Sequence, residues 1–383
     1  MVDYRCVEDN MEELNLALHR FHQNIVEPSV HLCRDTIAFC MTQVILPLME
    51  KVGELDARFK CAFPMPNEAY FEGMKTTSVD EFELTVILTN LLPMKVFEDV
   101  GYQNSNFQCY GHVIAHPAPH HLGDVVLESG TSQGLVSAHR IREMFAQLVI
   151  QAASVLPVLG IKIDVVYREP YTVVKILRSP DLFFFELVPA FLFEQQWPSS
   201  AASWPEATNE WLTDLDASFV KEMGFYALAA PCPANPADPS LFRISFSRAE
   251  KYLLRKVPQP NPDLPPVSRK DSEKILRIIR EADKDDFGLV SSYHIKTVLL
   301  HQCMRWPDPM EWLPEKLTER FLELFRDLIL SLDRKELPHF FIRNCNLLRL
   351  YPPEQLNTAA AKLKAIYEEI ILAPSKSIRL SVD

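Results

Sequence analysis

The stretch from Val79 to Asn90 constrains this chain more than any other. It reads Val-Asp-Glu-Phe-Glu-Leu-Thr-Val-Ile-Leu-Thr-Asn, and its second half is a β-branched, apolar run that predicts a buried strand. Its first half carries Glu81 and Glu83 two positions apart. On a strand, residues i and i+2 share a face, so the two carboxylates converge. Like charges leading into a core repel each other unless something positive sits between them, and Mg²⁺ or Mn²⁺ with a nucleoside triphosphate meets that need. The same pair facing water from an exposed strand end would do nothing, and the strand alone does not choose between these readings.

A second strand-like run narrows the choice. Leu182-Phe-Phe-Phe-Glu-Leu-Val-Pro-Ala-Phe191 is apolar except for Glu186. A carboxylate inside a buried strand is rare unless it is paired or metal-bound, which makes Glu186 the natural third member beside Glu81 and Glu83.

The chain has 383 residues, enough for two lobes, and its 48% hydrophobic and 23% charged content is that of an ordinary globular protein. A formal net charge of -12 argues against broad attraction to nucleic acid or to an anionic membrane, although a local basic groove is compatible with it. Arg140, Arg142, Arg269, Lys270 and Lys274 are the candidates for such a surface. The N-terminus has no basic head followed by an apolar run, and no apolar segment approaches membrane-spanning length; Phe39 to Met49 is broken by Thr42, Gln43 and Pro47. An intracellular protein, cytoplasmic or nuclear and without membrane contact, is expected. Eight cysteines from Cys6 to Cys345 show no Cys-x-x-Cys pair, which fits reduced and mostly buried thiols. His112, His116, His120 and His121 cluster near Cys109, but the spacing matches no tetrahedral zinc template, so exposed histidines and no zinc are expected.

The order of elements predicts an α+β fold. Residues 1–57 hold helices split by Pro28, a spine against which the rest packs. Residues 58–257 mix strands and helices: Phe107–Tyr110, Val125–Leu127, Ile161–Val166 and Tyr171–Ile176 are expected strands, Ser137 to Leu156 is an amphipathic helix, and Phe242 to Lys251 passes from strand to helix. Residues 258–267 are a Pro-rich linker, 268–373 are almost wholly helical, and 374–383 form a tail. Two lobes with a cleft between them follow, the usual place for a small-molecule site.

From Arg58 to Leu372 the chain also resembles the Mab-21 family of the nucleotidyltransferase superfamily, which includes the cyclic GMP-AMP synthases and related receptors. The resemblance is carried by the order and spacing of Arg58-Phe59, Tyr70-Phe-Glu-Gly73, Glu81-Phe-Glu83, Phe185-Glu-Leu-Val-Pro-Ala190, Trp204-Pro205, Gly224-Phe225, Ile244-Ser-Phe-Ser-Arg-Ala-Glu250, Ser292-Tyr-His-Ile-Lys-Thr297, Trp312 and Pro338-His-Phe-Phe-Ile-Arg-Asn-Cys-Asn-Leu-Leu348. It implies a nucleotidyltransferase-fold mixed-sheet lobe bearing the metal acids and facing a C-terminal helical lobe. Active relatives join nucleotides by attack of a ribose hydroxyl on an α-phosphate with two metal ions held by three carboxylates. Here the resemblance gives the catalytic and metal-binding roles to Glu81, Glu83 and Glu186, where active enzymes commonly carry Glu, Asp and Asp. Nucleotide contacts carried over in the same way are Ala69 in the phosphate turn, Arg243, Ser245 and Ser247 in the base-reading segment, Arg277 and Ser292 at phosphates, and Tyr293 stacking on a base. Each of these also has a purely structural reading as a local hydrogen bond, a solvated helix face or a half-buried ring.

Two departures from the family pattern bear on activity. Active relatives place Gly-Ser before the acidic strand so that backbone N–H groups and a hydroxyl reach the triphosphate; this chain has Glu68-Ala69. The insert from Tyr252 to Val267 lacks the His and Cys of the zinc thumb with which cyclic GMP-AMP synthase grips double-stranded DNA, so DNA by that route is not expected. The expected function is a regulatory or signalling protein with a metal- and nucleotide-binding cleft, weakly active or catalytically silent. The alternative is a Mg²⁺- or Mn²⁺-dependent enzyme that makes a nucleotide second messenger. ATP or GTP, protein partners and RNA are the partners compatible with either.

Overall fold

The computed structural model describes residues 4–27, 35, 37–61, 65–66, 80–92, 94–101, 107–116, 122–127, 134–156, 158, 160–179, 181–256 and 269–374. In chain order the helices are α1 (Tyr4–Phe21), continued by a π-helical turn at His22–Val26, α2 (Leu46–Leu55), α3 (Ala138–Val155), α4 (Asp214–Met223), α5 (Ser247–Arg255), α6 (Asp271–Ala282), α7 (Lys284–Phe287), α8 (Ser292–Arg305), α9 (Leu317–Arg334) and α10 (Pro353–Leu372). The strands are β1 (Met65–Pro66), β2 (Asp80–Ile87), β3 (Lys95–Asp99), β4 (Tyr110–Ala115), β5 (Val126–Leu127), β6 (Gly134–Val136), β7 (Lys162–Arg168), β8 (Tyr171–Arg178), β9 (Asp181–Phe193), β10 (Phe225–Leu228) and β11 (Leu241–Ser245).

All of these strands join one mixed sheet, and β9 is its axis. Along one edge β9 runs parallel to β2, from Asp80 opposite Phe183 to Ile87 opposite Ala190. Its other edge pairs antiparallel first with β8 and then, from Ala190 to Phe193, with β10. The sequence of β9 explains why it sits centrally. Phe183, Phe185, Leu187, Phe191 and Phe193 alternate onto one face and are buried, in contact with the main core. Phe185 lies 5.1 Å from the Phe82 ring and Phe193 stacks on Phe225 at 5.3 Å. Each buried aromatic contributes about 1.5–3 kcal/mol, so this face anchors the lobe.

Helix α3 covers this sheet, packing on β7, β8, β9 and α2. It starts where the sequence places it, with Ser137 accepting from the Arg140 N–H as N-cap. The N-terminal spine is divided between the two lobes: α2 lies on the sheet side, whereas α1 packs on α9 and α10, with Thr318 donating to Asn15 at 2.8 Å. The C-terminal lobe is built from α6, α8, α9 and α10. The fold is the α+β arrangement of a mixed-sheet lobe, spine helices and a helical lobe.

One expected strand is displaced. Phe107–Cys109 forms a turn, because Cys109 adopts φ 65°, and pairing begins only at Tyr110. The Pro28 break and the linker at 258–267 lie outside the described residues.

Gly224 ends α4 at φ 71°, and a Cβ placed there would lie 1.8 Å from the Phe193 carbonyl oxygen. Only glycine permits β10 to turn straight back against β9. Gly224→Ala is therefore expected to destabilise the sheet lobe by at least ~2 kcal/mol, read as a lowered urea midpoint; an unchanged midpoint would show that the turn relaxes freely.

Candidate functional site

The parallel ladder sets Glu83 of β2 directly opposite Glu186 of β9. Residues opposite each other in register share a face, with strands about 4.8 Å apart, so the two carboxylates are neighbours on the face opposite the phenylalanines. Both are half-buried. Glu81 lies opposite Phe184 in the same ladder, and its side chain lies outside the described residues. Among the described residues no group of three His, Cys, Asp or Glu side chains gathers as a metal centre.

The groups around that pair come from other strands. Tyr171, at the start of β8, donates its hydroxyl proton to Glu83 Oε2 at 3.3 Å. Burial first, then the charge of Glu83, push that phenol above its ordinary range, so it stays a donor. Arg243 on β11 faces the same region. Burial works against its charge, but Tyr110, Glu83 and Tyr171 hold the guanidinium above its ordinary value. Beyond the acids, the face closes into a small apolar patch of Ile87, Val188, Ala190, Tyr226 and Leu228, against which Tyr171 packs. The arrangement is two hard oxygen donors side by side, a phenol fixed on one of them, and a cation nearby. That donor set fits Mg²⁺ or Mn²⁺, with Glu83 and Glu186 as the residues that would hold the ion.

The other sequence-derived contacts are spread over the molecule. Ser245 ends β11 opposite Tyr226, and Ser247 opens α5. Arg277 on α6 pairs with the buried Glu273 at 3.4 Å. Ser292 is the first residue of α8, whose N-cap is Ser291 in a reciprocal capping box with His294. Ala69 and its neighbour Glu68 lie outside the described residues.

Tyr293 is the most informative of the set. Its hydroxyl donates to Glu250 Oε1 at 3.0 Å and lies 2.9 Å from His339 Nε2. Lys296 sits 5.0 Å from its ring centre and reaches Glu250 Oε2 at 2.6 Å. Glu250 is on α5 of the sheet lobe, whereas Tyr293, Lys296 and His339 belong to the helical lobe, so this buried network joins the two. Beside it, Phe246 stacks on Phe341 at 4.5 Å and Trp204 meets Phe341 at 4.9 Å. Burial, then Glu250, push the Tyr293 phenol well up, while burial lowers His339 to about 4. Sequence reading missed Tyr171, Lys296 and His339 as partners; the one signal was that Glu250, Lys296 and His339 all fall inside the runs that carried the family resemblance.

The basic set named from sequence does not form one surface. Arg142 is buried and paired with Glu169 while reaching the Ala229 carbonyl, Arg269 is buried and donates to the carbonyls of Trp306 and Pro307, and Lys274 pairs with Asp271. These arginines are inside because they close backbone gaps, which a count of positive residues does not reveal. Of the histidine cluster, His112 faces Glu98 at 3.8 Å and the neighbouring Cys109 faces another sulfur, while His120 and His121 lie outside the described residues.

A mixed sheet with paired acids on one face, joined to a helical lobe, defines a nucleotidyltransferase-like protein. Family models agree: a Mab-21 protein nucleotidyltransferase domain matches residues 70–256, and a Mab-21 protein HhH/H2TH-like domain matches residues 268–365. The chain belongs to the Mab-21 family. Among the described residues, no helix is long and apolar enough to cross a membrane.

The buried histidines generate a pH prediction. His339 and His294 both stay neutral to about pH 4 in the folded chain because burial penalises their charged forms, whereas their ordinary value is 6.5. Stability is thus complete above about pH 6.5 and is lost as pH falls toward 4, by up to about 1.4 kcal/mol per pH unit for each histidine. Urea midpoints measured across that window should fall steadily, and His339→Gln should flatten part of the slope; an unchanged slope in the variant would remove His339 from the account.

Proposed function

We propose that this chain is a regulatory member of its family that binds a nucleoside triphosphate with Mg²⁺ or Mn²⁺ at the Glu83–Glu186 face and turns it over weakly or not at all. The observation that carries the reading is the register of β2 on β9, which sets two half-buried carboxylates side by side with Tyr171 fixed on one of them. Such a pair favours a cation. A divalent ion there would supply charge neutralisation for phosphate oxygens. Glu83 and Glu186 would hold it, Tyr171 would orient Glu83, and Arg243 would add positive charge toward the phosphates.

Two observations support weak turnover. The Tyr293 ring, the candidate base platform, already carries Lys296 near one face and has its hydroxyl committed to Glu250 and His339. Arg277, the candidate phosphate contact, is tied to Glu273. Glutamate side chains in place of aspartates also set the ion about an ångström away from the usual position, a displacement that can cost roughly 10²-fold in rate.

The test is thermal melting with ATP or GTP, with and without Mn²⁺, alongside chromatography of the nucleotides. A metal-dependent rise in the melting midpoint is expected, lost with a chelator and in Glu186→Gln, with product at background. By mass action, ligand at a hundred times its Kd stabilises by about 2.7 kcal/mol. Absence of any nucleotide-dependent shift would sink the binding reading, and product that disappears in Glu83→Gln would replace silence with catalysis.

A further inference from the structure

Cys109 and Cys345 are 236 positions apart in sequence, yet their sulfurs lie 2.8 Å from each other inside the joint between the lobes. Both backbones are pinned. The Cys109 carbonyl accepts from the Ile244 N–H at 2.8 Å, while Cys345 donates to Ile342 and accepts from the His339 N–H, each at 2.8 Å. The residues just before them are also tied, Gln108 donating from its side chain to the Asn344 carbonyl. Cys109 holds φ 65°, a left-handed conformation unusual for a residue with a side chain, and this turn aims its thiol at Cys345. The two sulfurs are thus fixed within about 0.8 Å of the bonded separation of ~2.05 Å.

We propose that Cys109 and Cys345 form a redox modification site, a reversible disulfide that staples the sheet lobe to the helical lobe. The reaction needs a two-electron oxidant of the peroxide class. One thiolate attacks hydrogen peroxide to give a sulfenic acid and expel hydroxide, which takes up that thiol's proton as water. The second thiol attacks the sulfenic sulfur, forms the S–S bond and releases a second water. Two thiols lose two protons and two electrons, and the peroxide is reduced to two waters. The Cys345 contact and burial hold the Cys109 thiol well above its ordinary value, so oxidation is slow while the joint stays closed. Closing so long a loop restricts the unfolded chain and opposes separation of the lobes.

This inference is independent of nucleotide binding, and its test uses neither metal nor nucleotide. The reduced full chain is exposed to hydrogen peroxide, blocked with N-ethylmaleimide, digested without reductant and mapped by mass spectrometry. Cys40, Cys61, Cys232 and Cys303, described as free, are internal controls. The expected result is a linked peptide joining Cys109 to Cys345, an intact mass lower by two hydrogens, reversal by dithiothreitol, and a melting midpoint several degrees higher in the oxidised chain. Cys345→Ser should lose both the link and the shift. N-ethylmaleimide or sulfinate on both residues with no linked peptide overturns the proposal, and a link that leaves the midpoint unchanged overturns its stapling role. The wild-type map decides the matter even where a serine variant fails to fold.

Discussion

The parallel register of β2 on β9 is the constraint on which both the core and the site depend. Setting Glu83 opposite Glu186 also sets Phe82 beside Phe185 and Leu84 opposite Leu187. A slip of one residue would turn the phenylalanines toward the acids' face and the carboxylates into the core. The apolar gain on one face therefore fixes which side chains meet on the other. The buried aromatic side chains of one face thus hold the two carboxylates in register on the other. Sites built in this way do not depend on their ligand for their shape.

The parts of this architecture that were legible in the sequence were the periodic ones. Alternation in Leu182–Phe191 marked β9 and singled out Glu186, and helical spacing marked α3 and the four main helices of the C-terminal lobe. What stayed hidden depends on side chains meeting across elements far apart in sequence. Tyr171 reaches Glu83 only because β8 lies beside β9, and nothing local in Tyr171–Ile176 announces it. Arg142 and Arg269 look like surface charge in a sequence but are spent on buried carbonyls and one carboxylate. The left-handed turn at Cys109, in a residue that ordinarily avoids it, could not be inferred from Phe107–Tyr110.

The joint between the lobes combines interactions with opposite properties. The ring cluster around Phe246, Phe341, Trp197 and Trp204 is apolar and its attraction is non-directional. The Glu250–Lys296 pair with Tyr293 and His339 adds little net stability by comparison, because desolvating two charges offsets most of their attraction. Its effect is angular: each partner satisfies the others at one relative placement of α5 and α8, and any rotation leaves a buried charge exposed to an apolar wall. The aromatic cluster holds the lobes together, and the polar network fixes how they face each other.

These two regions are connected through one short segment. Strand β11 carries Arg243 at the acid face, continues through Ser245 and Phe246, and becomes α5, whose Glu250 closes the interlobe network. Anything that displaces Arg243 from Tyr171 and Glu83 acts on a segment whose far end is anchored by Lys296 and Tyr293. The acid face and the interlobe network are thus joined by one continuous segment, β11 followed by α5.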